Sequence, residues 1–268
     1  MPTPALPTST SGRSALEVAR TCAAEAGRVI RDGFGKVAVA ETKGRGNVVT
    51  EVDFAAERVV LDLLQREFPD HAVLSEETAA SIRSPGWMWV VDPLDGTKNF
   101  SRGIPHFAFN LALCFEERPL LALTSQPILG EEFLAVAGEG CTLNGVPVRV
   151  SGRETVRESV FALDLGYDDA RARRQLELAL GLWPGMQSLR IPGSAALGFA
   201  YVAAGRYDIF LHANLFPWDL APGILLVREA GGTITGRDGS EVTIFSEGAI
   251  AAAPAVHADF LLLAGSRQ

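Results

Sequence analysis

The sequence has few of the residues that build disulfide frameworks or zinc sites. It contains three cysteines in 268 residues, and these lie far apart with no CxxC or Cys/His metal spacing. An odd number of scattered cysteines argues against a disulfide scaffold and favours reduced core residues in a cytosolic protein. We therefore expect a cytoplasmic protein in which Cys22, Cys114 and Cys141 are buried and do not bind metal.

Long apolar runs and blocks of positive charge are also missing. The formal net charge is -8, and no Lys/Arg-rich block offsets it, which argues against nucleic acid as a partner. The most apolar window, 249–264, is interrupted by Pro254, His257 and Asp259, so no segment reaches the ~18 apolar residues of a membrane span. Residues 1–13 lack the basic start and apolar core of a signal peptide, and their Pro, Thr and Ser content predicts a disordered tail. These absences leave a soluble globular protein with neither a nucleic-acid nor a membrane partner.

What is present predicts two halves with different secondary-structure patterns. In residues 14–150, two helical patterns, capped by Ser14 and Thr50, are followed by short strands and an antiparallel meander. In residues 151–268, strands and helices alternate, which predicts an α/β half with a parallel or mixed sheet. No low-complexity linker or internal repeat separates the halves, so we expect them to share a continuous interface.

The most informative stretch is 87–100, WMWVVDPLDGTKNF. Its apolar start predicts a buried strand, and the strand ends in an acidic turn where a proline limits the swing of Asp92 and Asp95. Gly96 permits a backbone conformation or a close ligand approach that a Cβ would obstruct, and a helix starting at Thr97 would offer N–H groups to an anion. Because paired carboxylates favour a divalent cation, the turn predicts a metal-bound phosphate. The alternative is a common Asp-Gly turn in which an aspartate caps a helix.

Further acidic residues occur where folding could bring them to this turn. Glu76 and Glu77 follow a predicted strand, and Glu76 converges with Asp92 if the two strands are neighbours. Asp53 falls in the first turn of one helix, and Asp219 falls at the start of another. Simpler alternatives exist: the glutamates could form a solvated strand edge, Asp53 could complement a helix dipole, and Asp219 could be an N-cap.

Five segments carry a resemblance to a known family. TEVD, SEE, DPLDGTKNF and PWDLAPG…EAGG, in this order, together with GSAALGFAYVAAGRYD, closely resemble the inositol monophosphatase family of metal-dependent, lithium-sensitive phosphatases. The resemblance extends from residue 14 to the end of the chain. It implies a layered αβαβα sandwich, an antiparallel-sheet half followed by an α/β half, and usually a homodimer. It also implies two to three Mg²⁺ ions per site and inhibition by Li⁺ bound at the second metal site.

The same resemblance implies roles for individual residues. The metal ligands that it implies are Glu76, Asp92 and the Leu94 carbonyl for the first ion, Asp92, Asp95 and Asp219 for the second, and Glu76 through water for a third. The catalytic residues are Asp53, Glu76 and Thr97, of which Asp53 and Thr97 would orient and deprotonate the attacking water. The substrate-binding residues are Asp95, Gly96, Thr97, Gly193, Ser194, Ala195, His212 and Asp219, with Tyr167, Asn214 and Phe216 shaping the leaving-group pocket. Glu77 would support Glu76, and Lys43 would lie at the site mouth.

One position departs from the family pattern. Seven residues before Asp219, where inositol-hydrolysing members carry a glutamate, this chain has His212. A neutral imidazole can bind a hydroxyl, and a protonated one could contact a second phosphate. A surface histidine at a strand end is the alternative.

These features predict a Mg²⁺-dependent phosphomonoesterase acting on a small phosphorylated metabolite, such as a sugar or polyol phosphate resembling inositol 1-phosphate. Because phosphate monoesters hydrolyse extremely slowly without a catalyst, charge neutralisation by bound cations has to supply most of the acceleration. Oxygen-only ligands favour Mg²⁺ over zinc. The alternatives are a fructose-1,6-bisphosphatase, a histidinol-phosphatase, a 3′-phosphoadenosine 5′-phosphate phosphatase, and a non-enzymatic regulatory binding protein on the same fold.

Overall fold

Two large β-sheets organise the part of the chain that the computed structural model describes, which is residues 4–36, 39–42, 48–78 and 85–265. The chain first forms a small ribbon, β1 (Val39–Thr42) with β2 (Val48–Thr50). The first large sheet then contains, in spatial order, β3 (Ala72–Ser75), β4 (Trp87–Asp95), β5 (Ala108–Phe115), β6 (Arg118–Gln126), β7 (Glu131–Val136), β8 (Gly140–Leu143) and β9 (Val146–Val148). Strands β3 and β4 are parallel, and each later pair of neighbours is antiparallel. The predicted meander is therefore confirmed.

The second large sheet mixes parallel and antiparallel strands, as the alternating pattern of the second half predicts. Its strands are β10 (Val160–Asp164), β11 (Ser188–Arg190), β12 (Ile209–His212), β13 (Thr233–Thr235) and β14 (Ala249–Ala252). The spatial order is β11-β10-β12-β14-β13. The first three strands of this order are parallel, whereas β14 runs antiparallel to both of its neighbours.

Helices cover both sheets and complete a five-layer arrangement. The α-helices are α1 (Ala15–Gly33), α2 (Glu51–Glu67), α3 (Thr97–Ser101), α4 (Asp169–Leu182), α5 (Ala195–Ala203), α6 (Pro217–Glu229) and α7 (Pro254–Gly265). Helices α1 and α2 pack on the outer face of the first sheet, α5 and α6 lie between the two sheets, and α4 and α7 pack on the outer face of the second sheet. The predicted αβαβα sandwich is confirmed.

Strand β4 is buried on both of its faces. Trp89 and Val91 pack with α1 and α2, whereas Met88 and Val90 pack with the helices between the sheets. Side chains alternate across a strand, so a strand covered on both faces has a continuous apolar sequence, and this explains the run from Trp87 to Val91. The carboxyl end of β4 therefore delivers its acidic turn to the interior of the sandwich.

The helix that carries Asp219 contains a proline in its second turn. Pro222 is the sixth residue of α6 and has no N–H to donate to the carbonyl of Trp218. That carbonyl instead accepts a 2.8 Å hydrogen bond from Nδ2 of Asn110 on β5. The side chain from the first sheet thus replaces the missing helical hydrogen bond and holds the start of α6 against β5.

The expectation of a disordered tail at residues 1–13 is wrong for residues 4–13. The Thr10 N–H donates to the Glu67 carbonyl over 2.9 Å, the Thr10 hydroxyl donates to the Arg66 carbonyl over 3.0 Å, and the Ser11 hydroxyl donates to the Glu67 carboxylate. Leu6 also packs against the core formed by α1 and α2. The physical reason is that the last carbonyls of a helix lack helical partners, and the polar residues of this segment satisfy those of α2.

Three other expectations concern burial, membranes and domain organisation. All three cysteines are free and buried, as predicted. None of the described helices has the length and apolar character needed to cross a membrane. The first large sheet spans 72–148 and the second spans 160–252, while the division into halves at residue 151 stays a prediction. Lys43 and the rest of the glycine-rich segment 43–47 lie outside the described residues.

Candidate active site

The parallel pairing of β3 and β4 brings the first two acidic motifs together. Ser75 pairs with Val91 at the carboxyl ends of the two strands, and the Glu76 N–H donates to the Val91 carbonyl over 3.2 Å. Each strand therefore ends in an acidic residue at the same edge of the sheet. The carboxyl groups of Glu76 and Asp92 are close enough to share a hydrogen bond. The sequence predicted that Glu76 and Asp92 converge if their strands are neighbours, and β3 and β4 are neighbours.

Three aspartates from two distant parts of the chain form a compact oxygen cluster. One carboxylate oxygen from each of Asp92, Asp95 and Asp219 lies within 4.8 Å of the other two. Burial, and then the negative charges of neighbouring carboxylates, raise the pKa of Asp92 well above its ordinary value. Burial and the Asp95 charge do the same to the pKa of Asp219. Carboxylates held this close repel one another, so the cluster has the electrostatics of a cation site.

Backbone hydrogen bonds fix the orientation of two of these aspartates. Asp92 Oδ1 accepts from the Leu94 N–H over 3.0 Å, which closes the turn at the end of β4. Asp219 is the third residue of α6, and its Oδ2 accepts from the Phe216 N–H over 2.8 Å. Asp219 is therefore not the N-cap itself, since Phe216 occupies that position. In each carboxylate, one oxygen accepts a backbone hydrogen bond that fixes the orientation of the group.

Asp95 spans the cleft and binds the start of α5. Its carboxylate accepts a hydrogen bond from the Ser194 hydroxyl, and it accepts from the N–H groups of Ala196 over 3.0 Å and Ala195 over 3.3 Å. Burial raises the pKa of Asp95 to about 6, although these hydrogen bonds oppose the shift. The Ser194 hydroxyl is thus directed at Asp95, where it positions a carboxylate of the cluster.

Asp53 reaches the site through Thr97. Asp53 is 1% exposed, and its Oδ2 accepts from the Thr50 N–H over 2.9 Å in the capping box of α2. Its Oδ1 accepts from the Thr97 hydroxyl over 2.9 Å, and that hydroxyl also lies 2.9 Å from the Leu94 carbonyl. Burial raises the pKa of Asp53, and the Thr50 and Thr97 hydrogen bonds partly oppose this. The residue therefore does more than complement a helix dipole, because it links α2 to the acidic turn.

The turn requires glycine at position 96. Gly96 has φ of +88°, a left-handed conformation that L side chains rarely adopt. A Cβ there would lie 3.1 Å from the His106 carbonyl oxygen and 3.2 Å from the Gly193 carbonyl oxygen. The segment that starts α3 therefore packs directly against the loop before α5, and both approach the same cavity.

A cavity of about 260 Å³ opens over the carboxylate cluster. Of the site residues predicted above, Asp53 contacts the cavity through Thr97, Glu77 does not line it, and Lys43 lies outside the described residues. All the others line the cavity. The lining includes Glu76, Asp92, Leu94, Asp95, Gly96, Thr97, Tyr167, Gly193, Ser194, Ala195, His212, Asn214, Phe216 and Asp219. Elements from both predicted halves thus meet at one pocket, although the individual roles stay predictions.

The structure corrects the interpretation of His212. This residue ends β12, as predicted, but it is 6% exposed and is not a surface histidine. Burial lowers the pKa of His212 to about 3, which favours the neutral ring over the protonated alternative at physiological pH. The ring Nδ1 accepts from the Asn214 N–H over 3.1 Å, which places the ring proton on Nε2.

Sequence reasoning missed three residues at the site. Asp164, the last residue of β10, lines the cavity, and burial raises its pKa to about 7. Lys98, within the DPLDGTKNF segment, also lines the cavity. Buried Glu57 on α2 accepts at Oε1 from the N–H groups of Glu77 over 3.1 Å and Thr78 over 3.2 Å. Asp164 could have been predicted as a site residue, because it is the last residue of a parallel strand. Nothing in the local sequence pattern distinguishes Lys98 or Glu57 from ordinary helical residues.

The donor set fits a hard divalent cation. All candidate ligands are carboxylates or the Leu94 carbonyl, which matches the oxygen preference of Mg²⁺. The upward pKa shifts of Asp92 and Asp219 show that these groups are destabilised as free anions, and a cation would relieve that repulsion. His212, the histidine of this cavity, uses Nδ1 for a backbone hydrogen bond.

Comparisons with known proteins agree with this geometry. A family model described as the inositol monophosphatase family matches residues 13–266. The chain is 37% identical over 237 residues to inositol monophosphatase 3 of Solanum lycopersicum, covering 84% of this chain and 87% of that one. It is 34% identical over 250 residues to Nus factor SuhB of Pasteurella multocida, covering 92% and 94%. Its structure is similar to that of the extragenic suppressor protein suhB from Bartonella henselae, with a TM-score of 0.87, 33% identity, and coverage of 92% and 97%.

Proposed function

The chain belongs to the inositol monophosphatase family, and from this premise we propose that it is a Mg²⁺-dependent phosphomonoesterase that hydrolyses a small phosphorylated metabolite. The observation that carries the proposal is the meeting of Asp92, Asp95 and Asp219 within 4.8 Å beneath a cavity of about 260 Å³. The cavity has the size of a small-metabolite site, and its floor has the chemistry of a cation site.

Five oxygen ligands would hold the metal. These are the side chains of Glu76, Asp92, Asp95 and Asp219 and the carbonyl of Leu94. When bound, Mg²⁺ neutralises phosphate charge and lowers the pKa of a coordinated water. We propose two ions per site, with a third near Glu76, as the family resemblance implies.

The protein's own groups would handle the proton and the phosphate. The Thr97 hydroxyl faces the cavity and donates to Asp53, so it can accept a hydrogen bond from the attacking water while Asp53 receives the proton. Burial of Asp53 raises its pKa and makes it a stronger base than an exposed aspartate. The N–H groups of Gly96 and Thr97 would bind phosphate oxygens beside Asp95.

The test is phosphate release from inositol 1-phosphate with and without Mg²⁺, repeated with Asp92→Asn. Asparagine keeps an oxygen for the Leu94 N–H but removes the charge. We expect activity to require Mg²⁺ and to fall by more than about a hundredfold in the variant. Asp62→Asn, which alters an exposed carboxylate on α2 away from the cavity, is the matched control and should keep full activity. Metal-independent turnover, or full activity of Asp92→Asn, would contradict the proposal.

A second candidate is a regulatory binding protein on the same fold. It is favoured by the relative of Pasteurella multocida, whose name is Nus factor SuhB. The described site retains every ligand and activating residue expected from the resemblance, so we rank this function second. Negligible turnover across a panel of phosphorylated metabolites, together with recovery of a stoichiometric macromolecular partner, would reverse the ranking.

Three finer expectations belong to the same proposal. Millimolar Li⁺ should inhibit hydrolysis, and the chain should form a cytoplasmic homodimer. A substrate panel should separate inositol 1-phosphate from fructose 1,6-bisphosphate, histidinol phosphate and 3′-phosphoadenosine 5′-phosphate. Unchanged turnover with Li⁺ would contradict that detail without affecting the phosphatase assignment.

A further inference from the structure

The charges that line the cavity are divided unequally. Five carboxylates line it, namely Glu76, Asp92, Asp95, Asp164 and Asp219. Among the described lining residues, Lys98 is the one lysine or arginine. All of these carboxylates except Asp164 belong to the proposed metal site. The proposed mechanism therefore does not use the charges of Lys98 and Asp164.

Lys98 lies in the first turn of α3, three residues after Asp95. Its side chain faces the leaving-group wall, which we define as the part of the cavity lined by Asp164, Tyr167, His212 and Asn214. Its ammonium is 4.4 Å from the centre of the Tyr167 ring, a cation–π distance that holds the side chain against this wall. Partial burial lowers the pKa of Lys98, and the carboxylate that opposes the shift is Asp164. The contacts of the Lys98 ammonium are therefore with the leaving-group wall: a cation–π contact with Tyr167 and an electrostatic interaction with Asp164.

Hydrogen-bond acceptors on this wall are already used by the protein backbone. The Asp164 carboxylate accepts from the Gly193 N–H over 2.7 Å and from the Ser194 N–H over 3.1 Å. Asn214 Oδ1 accepts from the Tyr167 N–H over 2.9 Å. His212 Nδ1 accepts from the Asn214 N–H over 3.1 Å. The backbone thus uses the single lone pair of His212 Nδ1 and one lone pair of each acceptor oxygen, which leaves a polyol fewer acceptors for its hydroxyl protons on this wall.

Two polar groups on the wall supply hydrogen-bond donors. Lys98 presents ammonium protons, and no carboxylate among the described residues forms an ion pair with it at bonding distance. His212, which is neutral, carries its ring proton on Nε2. These two donors, one of them positively charged, are complementary to an anion, since the Asp164 carboxylate on the same wall already binds the Gly193 and Ser194 N–H groups.

We propose that Lys98 determines specificity by binding a second anionic group, a carboxylate or a phosphate, on the leaving-group part of the substrate. The inference rests on the proposed phosphatase function and narrows its substrate class. The substrate is then a phosphomonoester with two anionic groups: one phosphate binds over the aspartate cluster, and the second group binds at the ammonium beside Tyr167. The metal ions and Lys98 together offset the carboxylates that would otherwise repel such a substrate.

Two matched substrate pairs test the proposal, each differing in one anionic group. The first pair is glycerol 2-phosphate and 2-phosphoglycerate, and the second is adenosine 3′-phosphate and 3′-phosphoadenosine 5′-phosphate. The ratio of kcat/KM within a pair measures the contribution of the added carboxylate or phosphate. We expect a ratio of about 10 to 100 in at least one pair, mostly through KM, because hydrogen bonds to charged groups contribute that much to binding. The pair that shows it identifies whether a carboxylate or a phosphate is bound.

Variants assign the effect to Lys98. Lys98→Met should bring the ratio close to one, and Lys98→Arg should keep part of it because the charge is retained. Lys36→Met is the matched control, since Lys36 is exposed and does not line the cavity, and it should leave the ratio unchanged. High salt should lower the ratio in the unmodified protein.

Three results would overturn the proposal. Hydrolysis of all four substrates with ratios close to one would refute the role of Lys98 and leave the phosphatase function standing. An equal loss of kcat/KM for both members of a pair in Lys98→Met would show that Lys98 acts on the hydrolysed phosphate. Failure to hydrolyse any of the four, or inositol 1-phosphate, in the presence of Mg²⁺ would refute the proposed function and this inference with it.

Discussion

The Thr97 hydroxyl donates a 2.9 Å hydrogen bond to Asp53 Oδ1, and this contact joins the first turn of α2 to the acidic turn after β4. Asp53 does not line the cavity, so Thr97 is its connection to a bound water or phosphate. The two residues are 44 positions apart in the sequence. Removing the Thr97 hydroxyl should therefore disconnect Asp53 from a water bound in the cavity, even though Asp53 itself is unchanged.

We predict that Thr97→Val lowers kcat by about a hundredfold or more, since a positioned proton acceptor contributes that order of magnitude. Valine keeps the shape of the side chain but cannot pass a proton to Asp53 or orient a water. Thr97→Ser, which keeps the hydroxyl, is the control and should retain most of the activity. Steady-state kinetics at saturating Mg²⁺ separates kcat from KM, and a valine variant with unchanged kcat would rule out the Thr97–Asp53 relay.

Protonation of the buried carboxylates should compete with Mg²⁺. Burial raises the pKa of Asp95 to about 6 and raises the pKa values of Asp92 and Asp219 well above the ordinary value, so the metal-free folded protein binds protons at these proposed ligands that the unfolded chain releases. The stabilisation from this binding is complete below the unfolded value of 3.8 and is lost as the pH rises through the raised folded values, about 6 for Asp95. In that window a cation replaces the missing protons.

We predict that millimolar Mg²⁺ raises Tm by roughly 5 °C near pH 8 and by much less near pH 5.5. Thermal unfolding with Mg²⁺ and with a chelator, at both pH values, measures this difference. Buried histidines such as His212, whose pKa burial lowers to about 3, stabilise the fold increasingly as the pH rises, but they do so with and without Mg²⁺ and cancel in the comparison. An equal Mg²⁺ effect at both pH values would contradict the competition.

Glu57 should control metal affinity without touching the metal. Its Oε1 accepts from the Ser75 hydroxyl and from the N–H groups of Glu77 and Thr78, so it fixes the loop that presents Glu76. We predict that Glu57→Ala weakens Mg²⁺ activation about 10- to 100-fold, the usual cost of losing a group that orients a metal ligand. Glu57→Gln keeps an acceptor oxygen and should lose less.

Mg²⁺ titration of the activity, with calorimetric binding as an independent measure, tests the Glu57 prediction. Asp62→Ala is the matched control, because Asp62 lies on the same helix but is exposed. Unchanged Mg²⁺ dependence of a folded Glu57→Ala protein would show that the loop holds Glu76 without this anchor.

Gly96 and Gly103 have similar positive φ angles but different surroundings, so alanine substitutions at the two positions distinguish backbone strain from steric crowding of the added Cβ. Gly96 has φ of +88° and Gly103 has φ of +70°, but a Cβ at 96 would meet the His106 and Gly193 carbonyls and Phe107 Cα at 3.1–3.2 Å, whereas a Cβ at 103 would meet nothing within 4 Å. We predict that Gly103→Ala costs about 1 kcal/mol of unfolding free energy, and that Gly96→Ala costs about 1–3 kcal/mol more and inactivates the enzyme. Denaturant unfolding gives both values, and equal costs would mean that the turn can relax.

The acidic motifs could be predicted from sequence because each is a local signal at the end of a strand or the start of a helix. Asp92 and Asp95 follow an apolar run, Glu76 follows another, and Asp219 begins a helix, and all four line the cavity. Lys98 and Glu57 could not be predicted in the same way. A lysine in a first helical turn and a glutamate inside a helix are ordinary solvated residues unless packing places them at a pocket or beneath a loop.

The ordered segment before α1 is another feature that could not be predicted from the sequence. Its Pro, Thr and Ser content is typical of a tail. Composition contains no information about the free carbonyls at the end of α2, to which the N–H and hydroxyl of Thr10 donate. His212 is a second example. Its position at a strand end was predictable, but its neutral state depends on burial among residues from other elements.

By itself, the sequence predicted a meander followed by an α/β half and acidic residues at strand ends and helix starts, because apolar periodicity and caps are properties of neighbouring residues. The resemblance of five segments to a family added the layered fold and a predicted set of oxygen ligands. Only the tertiary structure decided which of those groups carry a proton, which acceptors are already occupied, and which lysine faces the cavity. These properties depend on burial and on contacts between residues from β4, α2, α5 and β12, far apart along the chain. Their energies arise from the removal of water around groups that folding brings together.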